Sequence, residues 1–116
     1  THATELLQQA EDGEEDQRAD LYKEAQAQME HALELYPEDD YGWWVLARIR
    51  LLQGERDAAA AAAQRALIEN PAWRRLPAST RSSLGVPPEL IKALLEIDTF
   101  RRVWGSLSPE TSAAAQ

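Results

Sequence analysis

The strongest constraint on the fold of this chain is a pattern of apolar residues and a proline that recurs 34 positions later. Residues 25–37 and 59–71 carry it in one register and without a gap, at Ala25, Met29, Ala32 and Pro37 and again at Ala59, Ala63, Ala66 and Pro71. A repeat of this length is typical of stacked helical units, in which each unit buries an apolar face against its neighbour. The pattern therefore predicts an all-α chain built from antiparallel helix pairs.

Two helical patterns lie inside residues 40–71, over 40–53 and 57–69, and Gly54 separates them. The first pattern carries large apolar residues, whereas the second contains six consecutive alanines, from Ala58 to Ala63. Alanine lets two helix backbones approach closely, while large side chains of the partner helix fill the seam. This size contrast predicts a tightly packed hairpin with Trp43 in the seam.

A longer helix is predicted over residues 17–36, because apolar residues recur there three and four positions apart. Pro37 disfavours helical torsions in the residue before it, so this helix should end near Tyr36. Asp39 or Asp40 can then accept hydrogen bonds from the free amides of the next helix. A shorter helix is predicted over residues 3–10.

The residues of the central unit resemble the tetratricopeptide repeat family in type, order and spacing. The matching residues are Trp43, Leu46, Ala47, Gly54, Ala59, Ala63, Ala66 and Pro71. Arg50 and Ala63 occupy positions where the family usually has aromatic residues, and only the second helix of the first unit matches. The resemblance implies a short right-handed α-solenoid of antiparallel helix pairs and covers roughly residues 20–71.

This interpretation divides the chain into one helical domain, residues 1–104, and a tail, residues 105–116, that has the composition of a disordered segment. Within the domain, residues 1–37 form a divergent first repeat, 40–71 the central repeat and 72–87 an irregular connector. A short helix is expected over residues 77–84. Residues 88–104 are predicted to form one amphipathic helix that caps the solenoid. The alternatives are that this helix lies in the concave groove or docks onto another subunit.

In the repeat family, the inner face of the first helix of each unit lines the binding groove. Carried onto this chain, the resemblance implies a partner-binding set of Tyr41, Trp44, Arg48 and Leu51. Trp, Tyr and Arg are also the residue types that dominate binding energy at protein interfaces. The alternative is that Trp44 packs against the final helix as part of the core.

The charge is distributed unevenly: residues 1–40 carry 13 acids and two bases, and residues 41–116 carry seven acids and ten bases. The absence of a basic stripe interleaved with aromatics argues against a nucleic-acid partner. No apolar run is long enough for a membrane span. The acidic third is either a solvated surface or a surface that attracts a basic partner.

The sequence also lacks the usual marks of an enzyme: it has no cysteine and no glycine-rich phosphate loop. Glu30, His31 and Glu34 are interpreted as a solvated helix face, since one histidine and two exposed acids rarely hold a metal without another helix. We therefore expect no catalytic site, no metal and no cofactor.

The function expected from these observations is non-catalytic binding of a peptide or helix of another protein in a concave groove. The first alternative is a homo-oligomer in which the acidic third of one copy meets the basic remainder of another. A second alternative comes from residues 39–48, DDYGWWVLAR, which look like bacterial repeat proteins that assist cytochrome c maturation in the periplasm. The chain begins with Thr1, so a targeting segment is not visible, and both a cytoplasmic and a periplasmic location stay open.

Overall fold

The computed structural model describes residue 9 and residues 15–106, and these residues form helices and no strand. The all-α prediction is therefore confirmed for the described part of the chain. The predicted helix over 3–10, apart from residue 9, and the tail after residue 106 lie outside the described residues. The elements are α1 (Glu15–Leu35), α2 (Asp40–Leu52), α3 (Arg56–Glu69), a 3-10 helix (Pro71–Arg74), α4 (Ala78–Ser83), α5 (Pro88–Leu95) and α6 (Asp98–Ser106).

The turn between α1 and α2 forms as its residues predict. Helix α1 ends two residues before Pro37, and Asp39 accepts a hydrogen bond from the Gly42 amide at 3.1 Å. This bond satisfies one of the amides that a helix start leaves without a partner. Helix α1 then packs against α2 through an apolar stripe whose buried members are Tyr22, Ala25, Met29 and Leu33.

Helices α2 and α3 form a tight hairpin around Gly54, which has a φ of +82° and ends α2 in a conformation that favours glycine. The small residues of α3 are fully buried in the seam, and they include Ala59, Ala63 and Ala66. The predicted contrast between large residues on α2 and small residues on α3 is therefore confirmed. It places α2 between α1 and α3.

Arg50 fills the position where the repeat family usually has an aromatic residue. Its guanidinium donates to the backbone oxygen of Ala58 at 3.0 Å and to the Glu30 carboxylate at 3.2 Å. One side chain thus connects α2 to both of its neighbours. At this position the hydrogen bonds of Arg50 take the place of the packing contacts that an aromatic ring would make.

Residues 88–104 do not form the single helix that the sequence predicts. The chain turns at Glu96 and Ile97, where amides bond to carbonyls three residues earlier, and α6 begins at Asp98. The Asp98 carboxylate pairs with Arg101 at 2.6 Å and Arg102 at 2.9 Å, so acid and bases lie across the first turn of α6. The bend lets apolar side chains of α5, α6 and the turn between them enter one core against α3, among them Ile91, Leu94, Ile97, Phe100 and Trp104.

Candidate functional site

Trp44, the central residue of the predicted binding set, is buried in the core with 1% of its surface exposed. Its ring meets those of Trp73 and Phe100 edge to face, with centroids 6.1 Å and 6.3 Å away. The prediction that Trp44 projects into an open groove is wrong, and the alternative in which it packs against the final helix is confirmed. The physical reason is that α6 brings Phe100 onto this face of α2.

The other members of the set share the face of α2 that the sequence assigns to them. Tyr41 packs beneath Gly85, where a Cβ would lie 2.6 Å from the Tyr41 hydroxyl oxygen and the backbone has a φ of +101°. Arg48 and Leu51 line a cavity of about 260 Å³ together with residues of α5. This face is therefore contacted by the C-terminal segment along its length, and a binding role for Arg48 and Leu51 stays a prediction.

A second, open concavity lies on the other side of α2, with a volume of about 320 Å³. Helix α2 supplies its floor, α1 and the turn after α1 supply one wall, and α3 supplies the other. We call it the Trp43 groove and define it by Glu30, Leu33, Glu34, Pro37, Trp43, Leu46, Arg50 and Arg65.

Trp43 is half-buried in this groove and is held from two sides. Its indole N–H donates to the backbone oxygen of Pro37 at 2.7 Å. The guanidinium of Arg65 lies over its ring, 5.1 Å from the centroid, and is itself bound to the Glu69 carboxylate at 2.8 Å. These contacts order the ring, since a hydrogen bond and a cation–π contact both restrict its rotation.

Each charged residue of the groove lies near an opposite charge, although only Glu30 and Arg50 pair with each other. Glu30 accepts from Arg50 at 3.2 Å and from Gln26 at 3.1 Å, and the ring of His31 lies 3.7 Å from Glu34. The groove lining carries two acids and two arginines, so its interior is close to neutral. Arg50 is the most enclosed of the four, with 19% of its side chain exposed.

Asp40 connects this end of α2 to the 3-10 helix. Its carboxylate accepts from the Asn70 amide at 2.9 Å and from the indole N–H of Trp73. Partial burial raises the pKa of Asp40, but the hydrogen bonds from Trp73, Asn70 and the backbone outweigh it and hold the pKa below its ordinary value. The carboxylate is therefore ionised at neutral pH and fixes the turn before α2 against residues 70–73.

The described residues include no cluster of three or more His, Asp or Glu side chains that could hold a metal ion. Within the same residues, no helix has the length and apolar character that crossing a bilayer requires. Comparisons with protein-family models, curated proteins and solved structures found no match to this chain.

The sequence contains a signal for the Trp43 groove that the family resemblance obscured. Trp43, Leu46 and Arg50 recur three and four residues apart, so they share one face of α2. The resemblance assigns this face to the packing seam. An arginine in place of an aromatic residue indicates instead a face with access to solvent, because its guanidinium must reach polar partners.

Proposed function

We propose that this protein is a non-catalytic interaction module that binds a peptide or helix of a partner protein, and that the Trp43 groove is its binding site. The observation that carries the proposal is the partly buried Trp43, held by Pro37 and Arg65 on the floor of an open concavity. We propose the Trp43 groove as the binding site in place of the Trp44 face, because the C-terminal segment covers that face.

Two physical arguments favour this site. Tryptophan and arginine supply much of the binding energy at protein interfaces, and the groove contains one Trp and two Arg side chains. A side chain that is already ordered loses less conformational entropy when a partner binds. The contacts of Trp43 and of Arg50 provide that order.

The proposed architecture is a short tetratricopeptide-like solenoid. The hairpin of α2 and α3, the buried alanines of α3 and the packing of α1 against α2 support it. In this arrangement α5 and α6 pack against α3 and also cover the face of α2 that the resemblance assigns to the groove, so they both cap the repeat and occupy that face.

The proposal can be tested by selecting peptides from a random-sequence display library on the immobilised protein, in parallel with the Trp43→Ala variant. We expect peptides that are enriched on the parent protein and lost on the variant, with affinities then measured by calorimetry. Leu84→Ala is the matched control, since Leu84 is an exposed apolar residue that does not line the groove. Equal enrichment on the parent protein and on Trp43→Ala would show that the groove is not the binding site.

A second candidate function is self-assembly through complementary charge. Arg74 and Arg81 both lie over the ring of Trp104, at 4.7 Å and 5.3 Å, and neither pairs with a carboxylate within the described part of the chain. The acidic α1 of a second copy could supply that carboxylate. Light scattering over a salt series tests this candidate, because a charge-driven assembly should dissociate as salt screens the contact.

A further inference from the structure

We infer that the partner segment of the Trp43 groove is basic and carries apolar side chains, so that it binds the groove and an acidic, apolar rim beside it. This inference rests on the proposed function and names the chemistry of its partner. The rim lies where α1 and α3 end, and we define it by Glu34, Leu35, Tyr36, Glu38 and Ile68.

The rim is continuous with the groove. Glu34 belongs to both, and Pro37 of the groove wall lies between Tyr36 and Glu38 of the rim. The Asp39 amide donates to the Tyr36 oxygen at 3.1 Å, and Asp40 binds Asn70 just after the end of α3. The turn after α1 is therefore fixed against the chain that follows α3, and this places Ile68 at the same end of the bundle as Leu35 and Tyr36.

The apolar part of the rim is unusually open to solvent. Leu35 is 61% exposed, Tyr36 63% and Ile68 67%, the three largest values among the large hydrophobic residues that the structure describes. Single exposed hydrophobic residues are ordinary on a protein surface, whereas a group at one end of a groove marks an interaction site. These side chains fit the apolar residues of a partner peptide.

The charge of the rim is negative. Glu38 makes no ion pair or hydrogen bond in the described part of the chain, and Glu34 faces only His31, 3.7 Å away. The carboxyl-terminal ends of α1 and α3 and the amino-terminal end of α2 meet here, so the helix dipoles add net partial negative charge, and the Asp39 carboxylate caps the one positive end. Arg65, the nearest arginine of the groove, is already held by Glu69 and Trp43. Lysine or arginine side chains on the partner are the complement of this surface.

The library selection described above tests the inference through the composition of the enriched peptides. We expect peptides that need Trp43 to be rich in Lys and Arg and to carry aromatic or branched apolar residues. For the best such peptide, Glu34→Gln combined with Glu38→Gln should weaken binding about fivefold to tenfold at low salt. Glu55→Gln combined with Asp57→Asn is the control of equal charge, at the opposite end of α3, and should change affinity less than about twofold.

Each contrary result has a distinct meaning. Enriched peptides that need Trp43 but are acidic or neutral would overturn the basic partner and leave the proposed function intact. No enrichment dependent on Trp43 would overturn both. Sedimentation velocity of the protein alone tests whether the rim binds a second copy of this chain. Self-association that is abolished by Glu34→Gln combined with Glu38→Gln would assign the rim to that second copy. This result would overturn the inference.

Discussion

Trp43 and Trp44 are adjacent in the chain, yet the two faces of α2 that they define have opposite properties. At Trp44 the first face is buried by the C-terminal segment, and within the described structure the Trp44 indole nitrogen has no hydrogen-bond partner. At Trp43 the second face borders an open groove, and the Trp43 indole nitrogen donates to the Pro37 oxygen. Ring packing therefore holds Trp44, whereas polar contacts hold Trp43.

The difference teaches that residue type alone does not assign a role to a tryptophan on a helix. Successive residues of a helix point about 100° apart, so Trp43 and Trp44 cannot serve one surface. Which of them is buried depends on where Phe100 and Trp73 lie. Mutations that separate the two faces therefore test the structure directly.

The largest expected effect is that of Trp44→Ala, which should lower the free energy of unfolding by about 3–5 kcal/mol because it leaves a cavity beside Phe100 and Trp73. Trp43→Ala is the matched variant and should cost about 1–2 kcal/mol, for one hydrogen bond and partial burial. Urea denaturation followed by circular dichroism measures both. Equal losses for the two variants would contradict the contrast between the faces.

Ala59→Leu tests the α2–α3 seam on which both faces depend. Ala59 is fully buried, so a larger side chain should force the helices apart and destabilise the protein by about 1–3 kcal/mol. Ala61→Leu is the control, because Ala61 is exposed on the same helix. Thermal unfolding would show a drop for the first variant alone, and a neutral Ala59→Leu would refute the tight seam.

Gly85→Ala tests the cover over the Trp44 face. The backbone there has a φ of +101° and the new Cβ would collide with Tyr41, so we expect a loss of about 1–2 kcal/mol. Gly105→Ala, where the space is open and the residue is helical, should be neutral or slightly stabilising. If both variants were equally stable, Gly85 would not be in contact with Tyr41.

The smallest effect concerns Asp40, which binds Trp73 beneath the covered face. Its folded pKa lies below the ordinary value of 3.8, so its stabilisation is complete above that pH and is lost as the pH falls through the folded pKa. Asp40→Asn should therefore flatten the decline in stability below about pH 4. Trp73→Phe removes one of the hydrogen-bond donors to Asp40 and should therefore flatten the same decline in stability only in part. An unchanged acid profile in Asp40→Asn would show that these hydrogen bonds do not couple to folding.

Much of the local structure follows from the sequence, because its causes are local. The ends of α1 and α2 follow from Pro37, Asp39 and Gly54, and the buried side of α3 follows from its alanines. The break at Ile97 was missed because the apolar residues on both sides of it fit one continuous helix. The turn accompanies the burial of Ile97, Phe100 and Trp104 in a core shared with α3, and this burial depends on contacts between residues distant in the sequence.

The sequence alone indicated the helices before residue 70, the register of the 34-residue pattern and the sharing of one face by Tyr41, Trp44, Arg48 and Leu51, but not the division of residues 88–104. Residues spaced three and four positions apart lie on one face of a helix, so these features depend only on helix geometry. Only the tertiary structure decided which face of α2 is covered and which is open. That choice depends on contacts between residues about 30 to 60 positions apart, such as those of Trp44 with Trp73 and Phe100, and no local pattern encodes them.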